Sequence, residues 1–375
     1  MRPVPVYPQY NISQPPSVRR WLAAGALLVL LSAGLTLLLH KDAVIVITSM
    51  TFSLLLVVML WLIRLLYSRF AHHNAHFYHA LVEQHQQQWW LRHCQSLAFR
   101  DIVLIGPSGS ETDDWLRVLN NAHVLPVVRK ESGGDALRVS MAMSESVNSR
   151  EQHLAAMLVL QWQKTRKYDV VPDVCYWLGS DEAWQAFVAQ MAITFPALRL
   201  PDSPRPWMGE ASLSTIIAEI NTSPDDITIM VAGCQSLSAE KNSNQPAGES
   251  AVLWVVGPEG SVMMNRGEVY SPPDDKTPEP VFERVLLQSE CEQPPEHCLL
   301  FSQPDVEGLE RSGWNISKHV QDMNWGSVGS MEALIVISLA VIYAETQRTT
   351  CGWIAKDPQH SLSLGIVKPH GYEQK

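Results

Sequence analysis

Cysteine, histidine and acidic side chains that could take part in chemistry are scattered along this chain of 375 residues. Cys234 is the first candidate, because it follows the apolar residues 226–233 and α/β proteins often place functional groups where a strand ends. A reactive thiol needs a histidine or a helix N-terminus beside it to lower its pKa. The sequence offers neither near Cys234, so we expect a structural cysteine and keep a catalytic thiol as the alternative.

His319 and Asp322 form a second candidate, a pair that could do acid–base chemistry. Their separation of three residues serves a local polar contact equally well, and we favour that interpretation. His360 lies in residues 357–360, whose composition is typical of a polar turn.

A run of histidines follows the second of two apolar segments near the N-terminus. His72, His76 and His79 share one helical face, with Glu83 one turn further on, and such clusters can bind metals. A single straight helix cannot wrap four ligands around one ion, so we predict a polar helix over residues 71–98 and no metal. We predict no cofactor either, because the GxxxxGK[ST], GxGxxG, GxSxG and HExxH motifs are all missing.

The elements that must position these side chains alternate between strand and helix over residues 99–375, which favours an α/β fold with a mainly parallel sheet. The predicted helices cover residues 113–121, 149–164, 180–193, 211–220, 281–288 and 331–344. The predicted strands cover residues 101–106, 137–143, 173–178, 226–233, 250–256, 262–269, 297–301, 350–355 and 362–367. We expect the strands at 250–256 and 262–269 to pair with each other across the turn at 257–260.

Residues 331–344 are apolar on all sides, yet they contain Glu332 and are too short to cross a bilayer. This composition predicts a helix buried between two sheets.

Two uncharged apolar runs, residues 21–39 and 43–63, lie near the N-terminus with a short polar break between them. Each is long enough for a helix that crosses a hydrocarbon core of about 30 Å, so residues 21–70 predict a transmembrane helical hairpin in the lipid bilayer. Arginines flank the outer ends of both runs, whereas the break holds one Lys beside one Asp. The positive-inside rule therefore predicts a two-pass bacterial inner-membrane protein whose N-terminus and large domain are cytoplasmic.

Charge and composition restrict the kinds of partner and the redox state that we expect for this chain. The net charge of −10 and the lack of a Lys/Arg-rich run argue against nucleic acid as a partner. Six scattered cysteines indicate reduced thiols, with a Cys291–Cys298 disulfide as the alternative. Residues 1–20 hold five prolines and no apolar period, which predicts a disordered cytoplasmic tail before the hairpin at 21–70, the helix at 71–98 and the domain at 99–375.

Three short stretches in the second half of the chain carry a family resemblance. Residues 326–330 (GSVGS) are a glycine-rich turn that opens the apolar helix, residues 226–236 (DITIMVAGCQS) are a strand and turn, and residues 246–253 (PAGESAVL) open the next strand. Together they resemble the thiolase-like fold of β-ketoacyl synthases over about residues 205–370. The resemblance implies a layered α/β domain after the hairpin.

The functional residues of that family do not carry over to this chain. Its nucleophile, a cysteine at the head of a helix, would fall within residues 205–210, which contain no Cys, Ser or Thr. Its two catalytic histidines would fall in residues 301–304 and at Ser327. Covalent acyl transfer needs an activated nucleophile, a base and an oxyanion donor, so the resemblance implies a non-catalytic copy.

Tryptophans and a proline-rich segment favour protein binding instead. Aromatic anchors are enriched in protein interfaces, although tryptophans also fill the layers of a core. The tryptophans that we expect at the surface are Trp89, Trp90, Trp115, Trp207, Trp314 and Trp325. We predict a partner-binding surface formed by Pro204, Pro206, Trp207 and Met208, where an active family member would build the mouth of its active site.

The leading hypothesis is therefore a membrane-anchored, non-catalytic scaffold that binds other membrane or secretion-complex proteins, with a homodimer as a further expectation. Synthase-like proteins without active-site residues occur among bacterial type VI secretion components, and the resemblance implies such an assembly. One alternative is an enzyme with a relocated active site, which would use Cys234, His319 or Asp322 on an acyl or lipid-linked substrate. The other is a structural subunit of an envelope complex that binds through its hairpin.

Overall fold

The structure is a computed structural model that describes residues 5, 7–10, 15–39, 42–140, 146–168, 171–224, 226–272 and 274–371. The chain divides into two compact units, which comprise residues 2–91 and residues 92–375.

Two long apolar helices form the N-terminal unit, α1 (Val18–Leu39) and α2 (Ala43–His93). Both are long and apolar enough to span a membrane, and only 6% of the most apolar window of each is buried. The helices approach closely at Gly25, where an added Cβ would lie 2.9 Å from Cγ1 of Val57. α2 continues past the second apolar run, so the helix predicted from residue 71 is its extension.

Residues near the N-terminus lie along α2. The Tyr78 hydroxyl donates to the carbonyl oxygen of Pro8 at 2.8 Å, and the Tyr7 hydroxyl lies 2.8 Å from Nδ1 of His85. The rings of Tyr10 and Tyr78 are 5.6 Å apart. Of the segment predicted as a disordered tail, residues 1–4, 6 and 11–14 lie outside the described residues.

The second unit alternates strands and helices, as predicted. Its helices are α3 (Thr112–Leu119), α4 (Val147–Thr165), α5 (Asp181–Thr194), α6 (Glu210–Thr222), α7 (Glu279–Gln288), α8 (Asp322–Trp325) and α9 (Glu332–Gln347). Its strands are β1 (Ser96–Ile105), β2 (Val128–Glu131), β3 (Gly134–Leu137), β4 (Val174–Leu178), β5 (Arg205–Pro206), β6 (Ile229–Ser236), β7 (Glu249–Gly257), β8 (Val262–Asn265), β9 (Glu268–Tyr270), β10 (His297–Leu300), β11 (His319–Val320), β12 (Cys351–Ala355) and β13 (Leu362–Pro369).

The strand order shows that this unit consists of two similar halves. The main sheet runs β11-β10-β12-β13-β8-β1-β7-β6-β4-β5, with β9 paired to β13 off this path. Leaving aside the β2–β3 hairpin and β9, the first half consists of β1, β4, β5, β6 and β7, and the second half consists of β8, β10, β11, β12 and β13. From the edge inward, the strands of each half follow the same order by sequence: third, second, fourth, fifth and first. The halves join where β1 pairs antiparallel with β8.

Alternate residues of the strands face different cores, because successive side chains of a strand point to opposite faces. Trp254 of β7 faces a central core, whereas its neighbour Leu253 faces an outer core packed by α4 and α5. In the second half, Leu299 of β10 faces the central core and Leu300 faces an outer core beneath α7. With α6 and α9 in the centre, the unit is layered α-β-α-β-α.

Helix α9 lies in the central core, with every residue from 333 to 344 buried. It contacts β1 and β7 of the first half and β10, β12 and β13 of the second. Its one polar group in mid-helix is satisfied, since Ser338 Oγ donates to the Leu334 carbonyl at 2.7 Å and accepts from Trp254 Nε1 at 2.8 Å. The segment from Gly329 to Gln347 is apolar enough to span a membrane, but 67% of its apolar window is buried, so the predicted buried helix is confirmed.

Several predicted features of the strands were wrong. The sheet is mixed rather than mainly parallel, because its central strands pair antiparallel, whereas the strands near its two edges pair parallel. β7 and β8 do not pair with each other across their turn; both pair antiparallel with β1, which arrives from a distant part of the sequence. The strand predicted at residues 137–143 ends at Leu137 as β3, which pairs with β2 in a separate hairpin. Residues 141–145 lie outside the described residues.

A buried charge network fastens the β2–β3 hairpin to the first half of the sheet. Nε and Nη2 of Arg138 donate to the two carboxylate oxygens of Glu131, each at 2.8 Å. Glu249 is fully buried and accepts from the Val139 N–H at 2.6 Å and the Ser236 hydroxyl at 2.9 Å, with Nη1 of Arg138 at 3.6 Å. The hydrogen bond from Arg138 lowers the pKa of Glu131, whereas burial raises the pKa of Glu249.

Candidate functional site

The candidate site is the N-terminus of α6, the place where the family resemblance expects a nucleophile. β5 ends at Pro206, Trp207 and Met208 follow, and Gly209 precedes the helix with φ 65° and ψ −132°. Glycine adopts this left-handed conformation far more readily than other residues. The backbone therefore turns sharply into α6 without presenting a nucleophilic side chain.

The carboxylate of Asp357, from the turn between β12 and β13, closes this N-terminus. Its Oδ2 accepts a hydrogen bond from the Glu210 N–H at 2.8 Å. Its Oδ1 accepts from the backbone N–H groups of Gln359 and His360 at 3.0 and 3.1 Å, and lies 2.9 Å from Nδ1 of His360. A residue of the second half thus caps a helix of the first half and satisfies a free N–H that a helix N-terminus always presents.

The same contact leaves no room for a side chain at Gly209. A Cβ added there would lie 2.5 Å from Oδ2 of Asp357 and 2.7 Å from Cδ of Pro358. Atoms of residues 357 and 358 therefore occupy the position that a side chain at residue 209 would take.

A cavity of about 10 Å³ lies beside Lys356, at the N-terminus of α9. One water molecule needs about 10–15 Å³, and ordinary ligand pockets measure about 300–1,000 Å³. Its lining residues are Phe301, Ser302, Pro304, Glu332, Ile354, Ala355, Lys356 and Leu362. This space cannot hold an acyl chain.

The charged groups at this cavity face each other. Oε1 of Glu332 lies 3.9 Å from Nζ of Lys356, while Oε2 has no hydrogen-bond partner among the described residues. Burial raises the pKa of Glu332, against the opposing effect of Lys356. This small cavity is therefore polar at the end formed by Glu332 and Lys356.

Cys234 lies in the outer core of the first half, far from any free surface. It is fully buried, and its thiol donates to the carbonyl oxygen of Glu151 at 3.3 Å. Burial raises the pKa of Cys234 well above its ordinary value. Because the thiolate is the reactive form, these surroundings suit a structural cysteine.

His319 and Asp322 have separate partners. His319 is buried on β11 with its ring 5.2 Å from that of His297, and burial together with His297 lowers the pKa of His319 to about 4. The Asp322 carboxylate accepts from the Met323 N–H at 2.8 Å and from Nε2 of Gln245 at 3.4 Å. Within the described part of the chain, no hydrogen bond joins His319, Asp322 and Cys234 into one site.

The predicted partner-binding surface is buried at its largest residue. Trp207 is 6% exposed, and its ring meets that of Trp254 edge to face at 5.8 Å. Met208 is 46% exposed, Pro206 is exposed and Pro204 is half-buried. The surface position predicted for Trp207 was wrong, because large aromatic side chains fill the space between the layers.

Other tryptophans follow the same pattern. The surface prediction was also wrong for Trp115, Trp314 and Trp325, which are buried. Trp89 and Trp90 are half-buried.

Cysteines and histidines elsewhere form no assembled centre. All six cysteines are free thiols, including Cys291 and Cys298. The rings of His72 and His76 are 6.4 Å apart on α2. The described residues contain no group of three or more His, Cys, Asp or Glu side chains that could hold a metal.

Sequence reasoning missed Asp357 at the start of α6, and it also missed the pairing of Glu332 with Lys356 at the start of α9. The polar composition of residues 357–360 predicted their turn, but the bonded partner of Asp357 lies 147 residues away in the chain. A contact of that separation leaves no local signal.

Comparison with solved structures agrees with this architecture. The ishigamide ketosynthase/chain length factor matches with a TM-score of 0.51 and 12% identity over 74% of this chain and 100% of that chain. Ketosynthase twelve of the bacillaene polyketide synthase from Bacillus amyloliquefaciens matches with a TM-score of 0.50 and 10% identity over 76% of each chain. The fold is thiolase-like. No protein-family model and no curated protein sequence matches the chain.

Proposed function

We propose that this protein is a non-catalytic thiolase-like scaffold, anchored in the bacterial inner membrane by α1 and α2. The contact between Asp357 and the N-terminus of α6 carries the proposal. It fills the position at which a covalent acyl-transfer enzyme needs a nucleophile and a free oxyanion donor. The cavity of about 10 Å³ at the N-terminus of α9 is itself too small for an acyl group.

Exposure of the full-length protein to an acyl thioester tests the lack of catalysis. We expect no covalent acyl adduct by intact-mass spectrometry, whereas a ketosynthase with an intact nucleophile gains one under the same conditions. Cys94 is the one cysteine that is half-buried rather than buried, so a Cys94→Ser variant identifies nonspecific modification of that thiol. An acyl adduct that persists in Cys94→Ser would refute the non-catalytic assignment.

Membrane anchoring with both ends in the cytoplasm is tested at the break between α1 and α2. A cysteine placed by Asp42→Cys should react with a membrane-impermeant maleimide added outside the inner membrane. Labelling that occurs only when the reagent reaches the cytoplasm would reverse the orientation, and release of the protein by carbonate would argue against spanning helices.

Partner binding centres on the exposed part of the proline-rich segment, Pro204, Pro206 and Met208. A charge at Met208→Asp should remove membrane or secretion-complex proteins that co-purify with the wild type. Met323→Asp is the matched control, because Met323 is 67% exposed elsewhere on the domain. Recovery of type VI secretion components would support that assembly, and equal partner recovery with both variants would exclude this surface.

A further inference from the structure

Helix α2 carries a seven-residue repeat in the part that extends beyond the second apolar run. Positions a and d of successive heptads hold, from the N-terminal end, Ile63, Tyr67, Phe70, Asn74, Phe77, Leu81, Gln84, Gln88 and Leu91. Apolar side chains that recur in this spacing form the seam along which two helices supercoil. We call these nine residues the α2 seam.

The α2 seam is exposed along its whole length. Phe70, Phe77 and Leu91 are 66%, 67% and 72% exposed, and every other seam residue is exposed as well. A long helix of a folded protein normally buries its apolar stripe. Phe77, Leu81 and Leu91 lie beyond the proposed membrane hairpin at residues 21–70, so lipid does not cover them and they need a partner along about 20 Å of helix, at about 1.5 Å per residue.

The N-terminal tail does not cover the seam, because its aromatic contacts on α2 lie beside the seam and not on it. Tyr7 and Tyr10 contact His85 and Tyr78, at heptad position e beside the seam. Ala75, near these residues on the helix, is buried. The tail borders the seam and leaves it open.

We propose that the α2 seam binds the same seam of a second copy of this chain, as a parallel two-stranded coiled coil. The parallel orientation rests on the proposed membrane anchor, which gives all copies the same direction across the bilayer. In that orientation each a or d residue meets its own counterpart, so Phe70 meets Phe70 and Phe77 meets Phe77. Asn74 occupies an a position, where a buried Asn favours two strands, and the polar seam residues Gln84 and Gln88 also meet their own counterparts in this register.

Buried area and charge both fit this occupant. An aromatic side chain offers about 150–250 Å². Tyr67, Phe70 and Phe77 are 59%, 66% and 67% exposed, so together they contribute about 300–500 Å² of exposed surface per copy. The remaining seam residues bring the area toward the roughly 800 Å² per partner of a standard interface. Positions e and g between Arg64 and Leu91 hold no Asp, Glu, Lys or Arg, so two parallel copies bring no pair of these charged side chains together there.

Same-residue disulfide cross-linking tests the proposal in the full-length protein in native membranes. In a Cys94→Ser background, single cysteines replace Phe70, Asn74, Phe77 or Leu81 on the seam. The matched controls are His72→Cys and His79→Cys, which are exposed on the opposite face of α2. We expect oxidation to give covalent dimers at all four seam positions, and little or none at the two control positions.

Other cross-linking patterns would overturn the proposal. Equal dimer yield at seam and control positions would indicate random collision, and a dimer at Phe77 alone would indicate an antiparallel pair. Higher covalent or native species than a dimer would exclude two strands.

A second variant pair separates the seam from contacts made by the α/β domain. Native mass spectrometry of detergent-extracted protein should show loss of the dimer in Phe70→Asp/Phe77→Asp and a retained dimer in His72→Asp/His79→Asp. A dimer that survives the seam substitutions would overturn the proposal. The acyl-thioester experiment tests the lack of catalysis, and the maleimide experiment tests the topology between α1 and α2. The seam proposal rests on the proposed membrane anchor, but these experiments show separately whether the seam proposal or the proposed function is wrong.

Discussion

Replacement of Asp357 by alanine is the perturbation that most directly tests how the candidate site is closed. The variant loses the acceptor for the Glu210 N–H at the start of α6 and the acceptors for the two N–H groups of its own turn. A lost helix cap costs about 0.5–2 kcal/mol, and each further hydrogen bond about 0.5–1.5 kcal/mol. We therefore expect a loss of about 2–4 kcal/mol in the free energy of unfolding.

Thermal unfolding of the full-length protein in detergent, followed by tryptophan fluorescence, measures this loss. In a domain of this size about 1 kcal/mol shifts Tm by about 2–4 °C, so Asp357→Ala should unfold about 4–16 °C below the wild type. Asp357→Asn keeps one acceptor oxygen, so its Tm should lie between those of the wild type and Asp357→Ala. Asp202→Ala, at an exposed position, is the control.

A result for Asp357→Ala within about 0.5 kcal/mol of the wild type, the range of ordinary surface substitutions, would refute the reasoning. It would mean that the carboxylate does not hold the two halves together at α6. An acyl adduct on Asp357→Ala would likewise contradict the reasoning, because it would show that Asp357 merely blocks access to a site that can react.

Three further predictions concern other buried groups. Gly209→Cys should lower stability by about 1–3 kcal/mol, because a strained left-handed backbone and a displaced Asp357 accompany the new side chain, and its thiol should gain no acyl group by intact mass. Arg138→Met should cost about 3 kcal/mol in urea unfolding, since it leaves the buried Glu249 with a weaker counter-charge; Lys241→Met, at an exposed position, should cost little. The pKa of His319 is about 4 in the folded protein against an ordinary 6.5, so the unfolded chain binds the proton first. Stability present above pH 6.5 should fall by up to about 3 kcal/mol as the pH drops toward 4, and His319→Phe should reduce that fall; equal pH profiles would contradict it.

Periodicity and capping revealed most individual elements of the α/β unit from the sequence. Ser180 marks the start of α5 by accepting from the Ala183 N–H, and the apolar composition of residues 331–344 correctly implied a buried helix. These signals are local, because a helix or strand is defined by neighbours within one or two turns.

Pairing and burial across the layers could not be read in the same way. β7 and β8 were assigned to each other because they are adjacent in sequence, yet both find β1. Trp207 looked like a surface anchor beside prolines, but its ring packs on Trp254. The candidate site also depends on a long-range contact, since Asp357 caps α6 only when the second half of the domain folds against that helix. Long-range contacts of this kind depend on the assembled core.

Both ends of the main sheet are strands of only two residues, β5 and β11. At one end Pro206 lacks a backbone N–H to offer to an added strand. Long free edges invite strand-to-strand aggregation, and short or proline-containing edges prevent it. A sheet finished in this way can be crowded at high local density without polymerising, which lets many copies share a small area and keep their contacts reversible.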